Sequence, residues 1–288
     1  MSRSTRDDVT DDFLGERHVY EPHRVGLPNL RVYVRELWRR RQFAYELSSS
    51  SLRSDHFDTA FGQLWLVLNP LLLGLVYYVL VDILSPTAKG ADFFAHLLAG
   101  LFAFYFISGS IQTGSKSVVG GGKLILNTAF PRVLLPLSST LTAFMRFLPT
   151  FAVYIVVHIV AGLPFGWHLL WLGPILAVLI LFALGASMLF ATLQVYFRDT
   201  SSFLPYFLRI WLYLSPILYY PEDVPERLQP VVHINPLFSI LGNLSEVLVE
   251  GRAPDLGTFG ISVAWAVTTF ALGFLFFVSR EREFAVRL

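Results

Sequence analysis

Between Phe93 and Arg198 the chain carries neither Asp nor Glu, and the stretches Thr200–Pro221 and Leu256–Arg280 interior to their ends carry none either. Apolar stretches of that length, almost free of charge, mark segments that live in hydrocarbon, where every ionised side chain is costly. Composition agrees: 54% of the residues are hydrophobic and 15% charged, against about 25% charged in soluble domains. With 26 Phe in 288 residues, a soluble core of this size has no room for so much apolar surface. A water-soluble enzyme is therefore excluded, and a net charge of +1 supplies no basic footprint for nucleic acid. The chain has no cysteine, which removes disulfides, thiolate metal sites and Cys nucleophiles. Its seven His show no ligand spacing such as HExxH, so no metal site is expected. The expected fold is all-α, a polytopic membrane protein.

The chain divides into a polar start and an apolar remainder. Residues 1–58 hold ten Arg and ten Asp or Glu with no long apolar run, so no cleavable signal peptide is expected. Residues 1–29 read as a charged cytoplasmic tail, partly disordered. From Leu30 the pattern changes: Leu30, Tyr33, Val34, Leu37 and Trp38 fall at helical spacing while Arg31, Arg35 and Arg39 line another face. That is an amphipathic helix suited to lying along a membrane surface, and with its linker it takes residues 30–58. Residues 59–288 form the membrane domain, with six spans predicted near 62–84, 93–114, 134–161, 169–197, 203–220 and 259–279. Pro70, Pro149, Pro174, Pro205 and Pro216 fall in or beside spans, where neighbouring helices satisfy the freed carbonyls.

An even number of spans places both termini on one side. That side carries seventeen of the 22 Lys and Arg, including Lys116, Lys123, Arg132, Arg198, Arg280, Arg282 and Arg287. The opposite side carries only Lys89, Arg227 and Arg252, while Arg146 and Arg209 fall inside spans. The asymmetry predicts a multi-pass plasma-membrane protein with both termini cytoplasmic.

The missing carboxylates also discriminate among transport mechanisms. Ion-coupled carriers bind their driving ion with intramembrane acids, and here only Asp82, at the outer end of the first span, comes near. Nor does the chain carry a nucleotide loop. The string GSIQTGSKS (Gly109–Ser117) resembles a Walker A loop, but a Ser stands before Lys116 and the string ends an apolar helix, without the strand that builds a phosphate cradle. The sequon Asn243–Ser245 is a weak signal. Arg146 and Arg209 each cost roughly 2.5–3.5 kcal/mol to insert; they either draw an anionic group, such as a lipid pyrophosphate, or snorkel and pair with carbonyls. His158 reads as a packing histidine. The aromatic runs Phe102–Phe106 and Tyr206–Leu214, with Tyr219 and Tyr220, fit interfacial belts or a lining for sugar rings. The candidate pathway residues are Phe102, Phe104, Tyr105, Phe106, Tyr206, Arg209, Trp211, Tyr213, Tyr219 and Tyr220.

Several blocks, taken in order, resemble one family. They are FGQLWLVLNPLL (Phe61–Leu72), LAGLFAFYFISGSIQTGSKSV (Leu98–Val118), LILNTAFPRVLLPLS (Leu124–Ser138), the stretch from Val195 to Glu226, NPLFSIL (Asn235–Leu241) and EGRAPD (Glu250–Asp255). The chain from about residue 30 onward resembles the permease subunit of type-2 ABC exporters for lipid-linked polysaccharides: the O-antigen, teichoic-acid and galactan exporters. One block departs from the family, since Ser51–Gly62 carries acids where a basic string is usual.

The resemblance implies a homodimer joined to two copies of a separate ATPase, which binds ATP and Mg, so this chain itself holds no cofactor. It implies that Gly114–Arg132, with Lys116, Gly120, Gly121, Gly122, Lys123 and Arg132, contains a coupling helix seated in the ATPase. The Arg198–Asp199 turn would contact the same side, and the Leu30–Leu47 helix would form an interfacial collar. Short re-entrant helices in Pro221–Thr258, before the last span, would cap the exit. The cargo would be a polyprenyl-pyrophosphate-linked glycan moving outward. The wording of the first span, with nineteen Arg against three Lys, looks most like actinobacterial members that export cell-wall galactan. The alternative is a polytopic membrane glycosyltransferase, for which Glu222, Asp223 and Glu226 are the available acidic cluster. A secondary carrier, the third possibility, is disfavoured by the acid-free spans.

Overall fold

The computed structural model describes residues 29–54, 64–84 and 90–288. The expected tail (1–28), the acidic part of the linker (55–63) and Lys89 lie outside the described residues. Every regular element among the described residues is helical.

The amphipathic segment forms two helices, α1 (Leu30–Arg39) and α2 (Arg41–Ser54), in place of the single helix expected over 30–47. Asn29 starts α1 by accepting the Arg31 N–H at 3.2 Å, and Arg40 leaves helical geometry at its end. No residue of α1 is buried, and Val32, Val34 and Trp38 stand exposed, as suits a helix whose apolar stripe meets lipid.

The remaining elements are α3 (Trp65–Leu84), α4 (Ala91–Gly120), α5 (Gly122–Asn127), α6 (Leu134–Val160), α7 (Leu172–Tyr196), α8 (Thr200–Leu214), α9 (Gln229–Val232), α10 (Pro236–Leu248), α11 (Leu256–Arg280) and α12 (Phe284–Arg287). Five of the described helices are long and apolar enough to cross a membrane: α3, α4, α6, α7 with its leading turn from Trp167, and α11. They coincide with five of the six predicted spans. The sixth differs. α8 has 15 residues, about 22 Å at 1.5 Å per residue, against a hydrocarbon thickness of roughly 30 Å. It stops at Leu214 because Ser215 precedes Pro216, which disfavours helical geometry one residue ahead, and Ser215 is extended (φ −99°, ψ 151°).

α4 is the axis of the bundle. Its buried residues run from Phe93 to Val118 around its circumference, and it packs on α6 and α7, with α11 on the far side of α7. The α7–α11 contact is a backbone contact. A Cβ on Gly185 would come within 2.5 Å of the Phe270 backbone, and one on Gly273 would overlap the Gly185 carbonyl. Small residues let membrane helices approach this closely. Hydroxyls within the long helices bond back to their own turns: Ser110 to Phe106 O (2.8 Å), Thr113 to Gly109 O (2.7 Å) and Thr192 to Met188 O (3.0 Å). Each of these three hydroxyls is thereby satisfied without water.

α3 is held differently. It contacts α4 and α6 along one side, while Leu72, Leu75, Val76, Val79, Leu80 and Ile83 remain exposed.

Candidate functional site

The arrangement has two ends. Lys116, Lys123, Arg132, Arg198 and Arg280 collect at the end where α4, α7 and α11 finish and α6 and α8 begin, here termed the basic end. At the opposite end α10 and its flanking turns fold over the bundle.

The predicted aromatic residues separate into two sets. Phe102, Phe104 and Phe106 are buried on α4, within the chain's own core. Tyr105, between them in sequence, is half-buried and points elsewhere, toward α3 and α8. There the Tyr77 phenol of α3 interacts with the Tyr213 phenol of α8, and Tyr105 and Arg209 lie near enough to act on it electrostatically. Tyr206, Arg209 and Tyr213 are exposed on α8. Tyr77 is a member that the sequence pattern did not single out; it sits in the run LVYYVL, where periodicity does not separate a functional tyrosine from a belt one.

Arg146 stands apart from Arg209. It lines a cavity of about 260 Å³ between α3, α4 and α6, with Trp65, Asn69, Tyr105, Phe106 and Thr150 among its walls. Tyr105 thus faces both features. An aromatic column runs up α6 beside this cavity, from Phe144 through Phe147, Phe151 and Tyr154 to His158, with successive centroids 5.4–6.2 Å apart. His158 ends the column at 3.3 Å from the Pro164 carbonyl, a carbonyl that His168 also meets at 3.2 Å. Its place is a packed one, as the sequence reading held.

Trp211, Tyr219 and Tyr220 belong to the opposite end. Trp211 Nε1 donates to Asn235 Oδ1 at 2.7 Å, and Asn235 Nδ2 donates to the Leu214 carbonyl at 3.0 Å. Asn235 also caps α10 by accepting the Leu237 N–H at 3.0 Å. One amide therefore closes α8 and opens α10. Tyr220 lies 4.5 Å from the His96 ring, centroid to centroid, and His96 Nδ1 meets Ser245 Oγ at 2.6 Å, fastening α10 to α4. Asn243, the sequon residue, is 2% exposed and bonded to Ser262 and Thr258 of α11, so it is a joint between helices in this fold. Glu246 takes Arg252 at 2.8 Å and the Asp255 N–H at 3.3 Å. Burial raises its pKa, against the opposing pull of Arg252. Glu222, Asp223 and Glu226 are exposed, and Asp223 accepts the Tyr220 N–H at 3.2 Å.

At the basic end, Lys116, Gly120, Gly121 and Lys123 line one cavity of about 560 Å³ with Ser138 and Thr142 of α6. The chain turns from α4 into α5 at Gly121 with φ −84°. The turn therefore needs no left-handed glycine; the requirement is for space, since a Cβ there would lie 2.9 Å from Ser117 O. Gly122 lies beside the C-terminal Leu288. Arg132 is bonded to Glu281, a residue the sequence reading passed over. Arg198 and Asp199 form the α7–α8 turn, where Gln194 Nε2 donates to Arg198 O at 2.9 Å. The Gly109–Ser117 string lies wholly inside α4, so its amides are spent in the helix and build no phosphate cradle. Among the described residues no group of three or more His, Asp or Glu could hold a metal ion.

A bundle with five described helices of membrane-crossing length, most of its charged residues at the two ends, is the architecture of a multi-pass membrane protein. A family model described as "ABC-2 type transporter" matches residues 47–249. The chain belongs to that family of membrane permeases. It is a transport subunit, not a catalytic enzyme, which removes the glycosyltransferase alternative. The chain is 29% identical over 206 residues to an O-antigen export system permease protein, RfbA, of Klebsiella pneumoniae, covering 71% of this chain and 79% of that one. It is 25% identical over 261 residues to a protein of the same name from Myxococcus xanthus, covering 88% and 97%.

Proposed function

We propose that this chain is the permease subunit of an ATP-driven exporter that moves a polyprenyl-pyrophosphate-linked polysaccharide outward across the plasma membrane. Two copies form the pathway, and two copies of a separate ATPase bind ATP and Mg and drive it from the cytoplasmic side. The observation that carries the reading is the face made by Tyr77, Tyr105, Tyr213 and Arg209, which gathers phenols and a cation at one surface of an apolar bundle. Aromatic faces pack on the C–H faces of sugar rings, phenol hydroxyls exchange hydrogen bonds with sugar hydroxyls, and arginine attracts phosphate.

Two further features support it. Apart from Asp82 near the end of α3 and Asp92 in the first turn of α4, the long helices hold no carboxylate, so no acid within them binds a coupling ion and the driving energy comes from elsewhere. The similar proteins are named as O-antigen export permeases. Six crossings, with α8 and the residues after it making the fifth, put both termini in the cytoplasm, in keeping with the Lys and Arg distribution. The 1–29 tail stands outside the membrane domain at 59–288. Cell-wall galactan is the narrower reading of the cargo, on the wording of the first span.

Co-expression with a separate ABC ATPase subunit tests the reading. The two should purify as a complex whose ATP hydrolysis falls when Gly114–Arg132 is disrupted, and mass spectrometry of copurified lipid should find a pyrophosphate-linked glycan, with galactose repeats for the narrower reading. Transport that collapses with the proton gradient while ATP is present would overturn it.

A further inference from the structure

Glu281 is the first residue past α11, and its carboxylate is shared by two other elements. The Tyr33 hydroxyl of α1 donates to Oε2 at 2.6 Å, and the Arg132 backbone N–H, just before α6, donates to Oε1 at 2.5 Å. The Arg132 guanidinium returns to the Glu281 carbonyl oxygen. Partners 248 and 149 residues away in sequence therefore converge on one side chain. Exposed ion pairs contribute little. A carboxylate whose two oxygens are each taken by a donor from a different element is another matter: charge-assisted bonds are the stronger kind, and together they fix relative position. Burial, and next the Glu281 charge, raise the pKa of the Tyr33 phenol, so Tyr33 keeps the proton it donates.

The surroundings make the joint stiff. The Tyr33 ring meets Phe274 of α11 edge-on at 6.2 Å. Arg40 Nη1 donates to Ala129 O at 2.6 Å, a second tie between the amphipathic segment and the α5–α6 connection. Beyond Glu281, Phe284 is fully buried against Phe277 at 5.1 Å. Glu283 accepts from the Tyr196 hydroxyl at 2.5 Å and pairs with Arg280 and Arg287. The C-terminal segment is thus pinned to α7 and α11 while Leu288 reaches Gly122 at the start of α5.

We infer that Glu281 is a positioning residue that locks α1, the α5–α6 connection and the end of α11 into one unit, so that a push on α5 moves α11 and α1 and is not absorbed by residues 128–133. The inference rests on the reading of the chain as an ATP-driven permease, in which α5 is the element pushed.

Full-length protein tests it in two arms. The chain has no native cysteine, so spin labels at Val32→Cys and Val286→Cys, both exposed, report the α1-to-C-terminus distance. With labelled chain diluted into unlabelled chain so that only the intrachain distance is read, the parent should give one narrow distribution, Tyr33→Phe and Glu281→Gln a width at least about twofold greater, and Glu281→Asp a partial return. In the complex with the ATPase, Tyr33→Phe and Glu281→Gln should keep hydrolysis within about twofold while glycan exported per ATP falls about fivefold to tenfold, the double variant being no worse than the worse single. Unchanged distance widths overturn the lock. Unchanged export per ATP, or export falling only in step with protein abundance, overturns the positioning role. If the parent complex shows no ATP-dependent export, the permease reading fails, and the distance arm still decides whether Glu281 joins the three elements.

Discussion

Phe104 on α4 is 2% exposed, whereas Tyr213 on α8 keeps 47% of its surface open. Both arose from aromatic runs of the same appearance. In FAFYF the helix turns 100° per residue, so Tyr105 leaves the core that Phe104 and Phe106 fill. Phe104→Ala therefore removes a core ring, at a cost of about 3–5 kcal/mol, and should lower membrane abundance and thermal stability together with export. Tyr213→Ala removes a surface phenol. It should leave abundance unchanged and lower export per molecule about threefold to tenfold, corresponding to about 0.7–1.4 kcal/mol of lost contact. Quantitative immunoblotting alongside an export assay separates the two, and an abundance loss for Tyr213→Ala would make it a packing residue.

At the level of elements, the α7–α11 crossing depends on the missing side chains of Gly185 and Gly273. Gly185→Ala must push the helices apart, and overpacking of this kind costs about 1–3 kcal/mol. A lower Tm in detergent is expected, with no change for Gly260→Ala, where an added Cβ meets open space. Equal melting for both would show that the crossing tolerates the extra atoms. The long helices were legible from hydropathy because each needs only length and apolar content. The end of α8 was legible in principle at Ser215-Pro216, yet the apolar letters of Pro216–Tyr220 outweighed that signal in the span reading. The break at Arg40 had no such marker, because Trp38–Gln42 keeps its helical polarity through it. The Asn235 joint was invisible for a further reason: capping an element 21 residues away is a tertiary relation that no local spacing encodes.

Across the whole molecule, the two ends differ in what holds them. The basic end is tied by charge-assisted bonds centred on Glu281 and Glu283, and the opposite end mainly by the Asn235 and Asn243 amides and the His96 ring, with the Glu246–Arg252 pair beside them. Glu281 looked in sequence like one acid of a terminal ERE, and only the convergence of Tyr33 and Arg132 gives it a role. Sidedness is what the sequence proposes: with six crossings, seventeen of the 22 basic residues fall on one side. The cysteine-free chain makes that testable. Single substitutions Arg227→Cys, between α8 and α10, and Val286→Cys, at the basic end, place one thiol at each face. In intact cells a membrane-impermeant maleimide should label Arg227→Cys and leave Val286→Cys unlabelled until the membrane is permeabilised. α1 and Val286 share the basic end, because the Tyr33 hydroxyl bonds Glu281, so a third thiol at Val32→Cys should share the protection of Val286→Cys. Labelling of one without the other would overturn both the Glu281 joint and the even number of crossings.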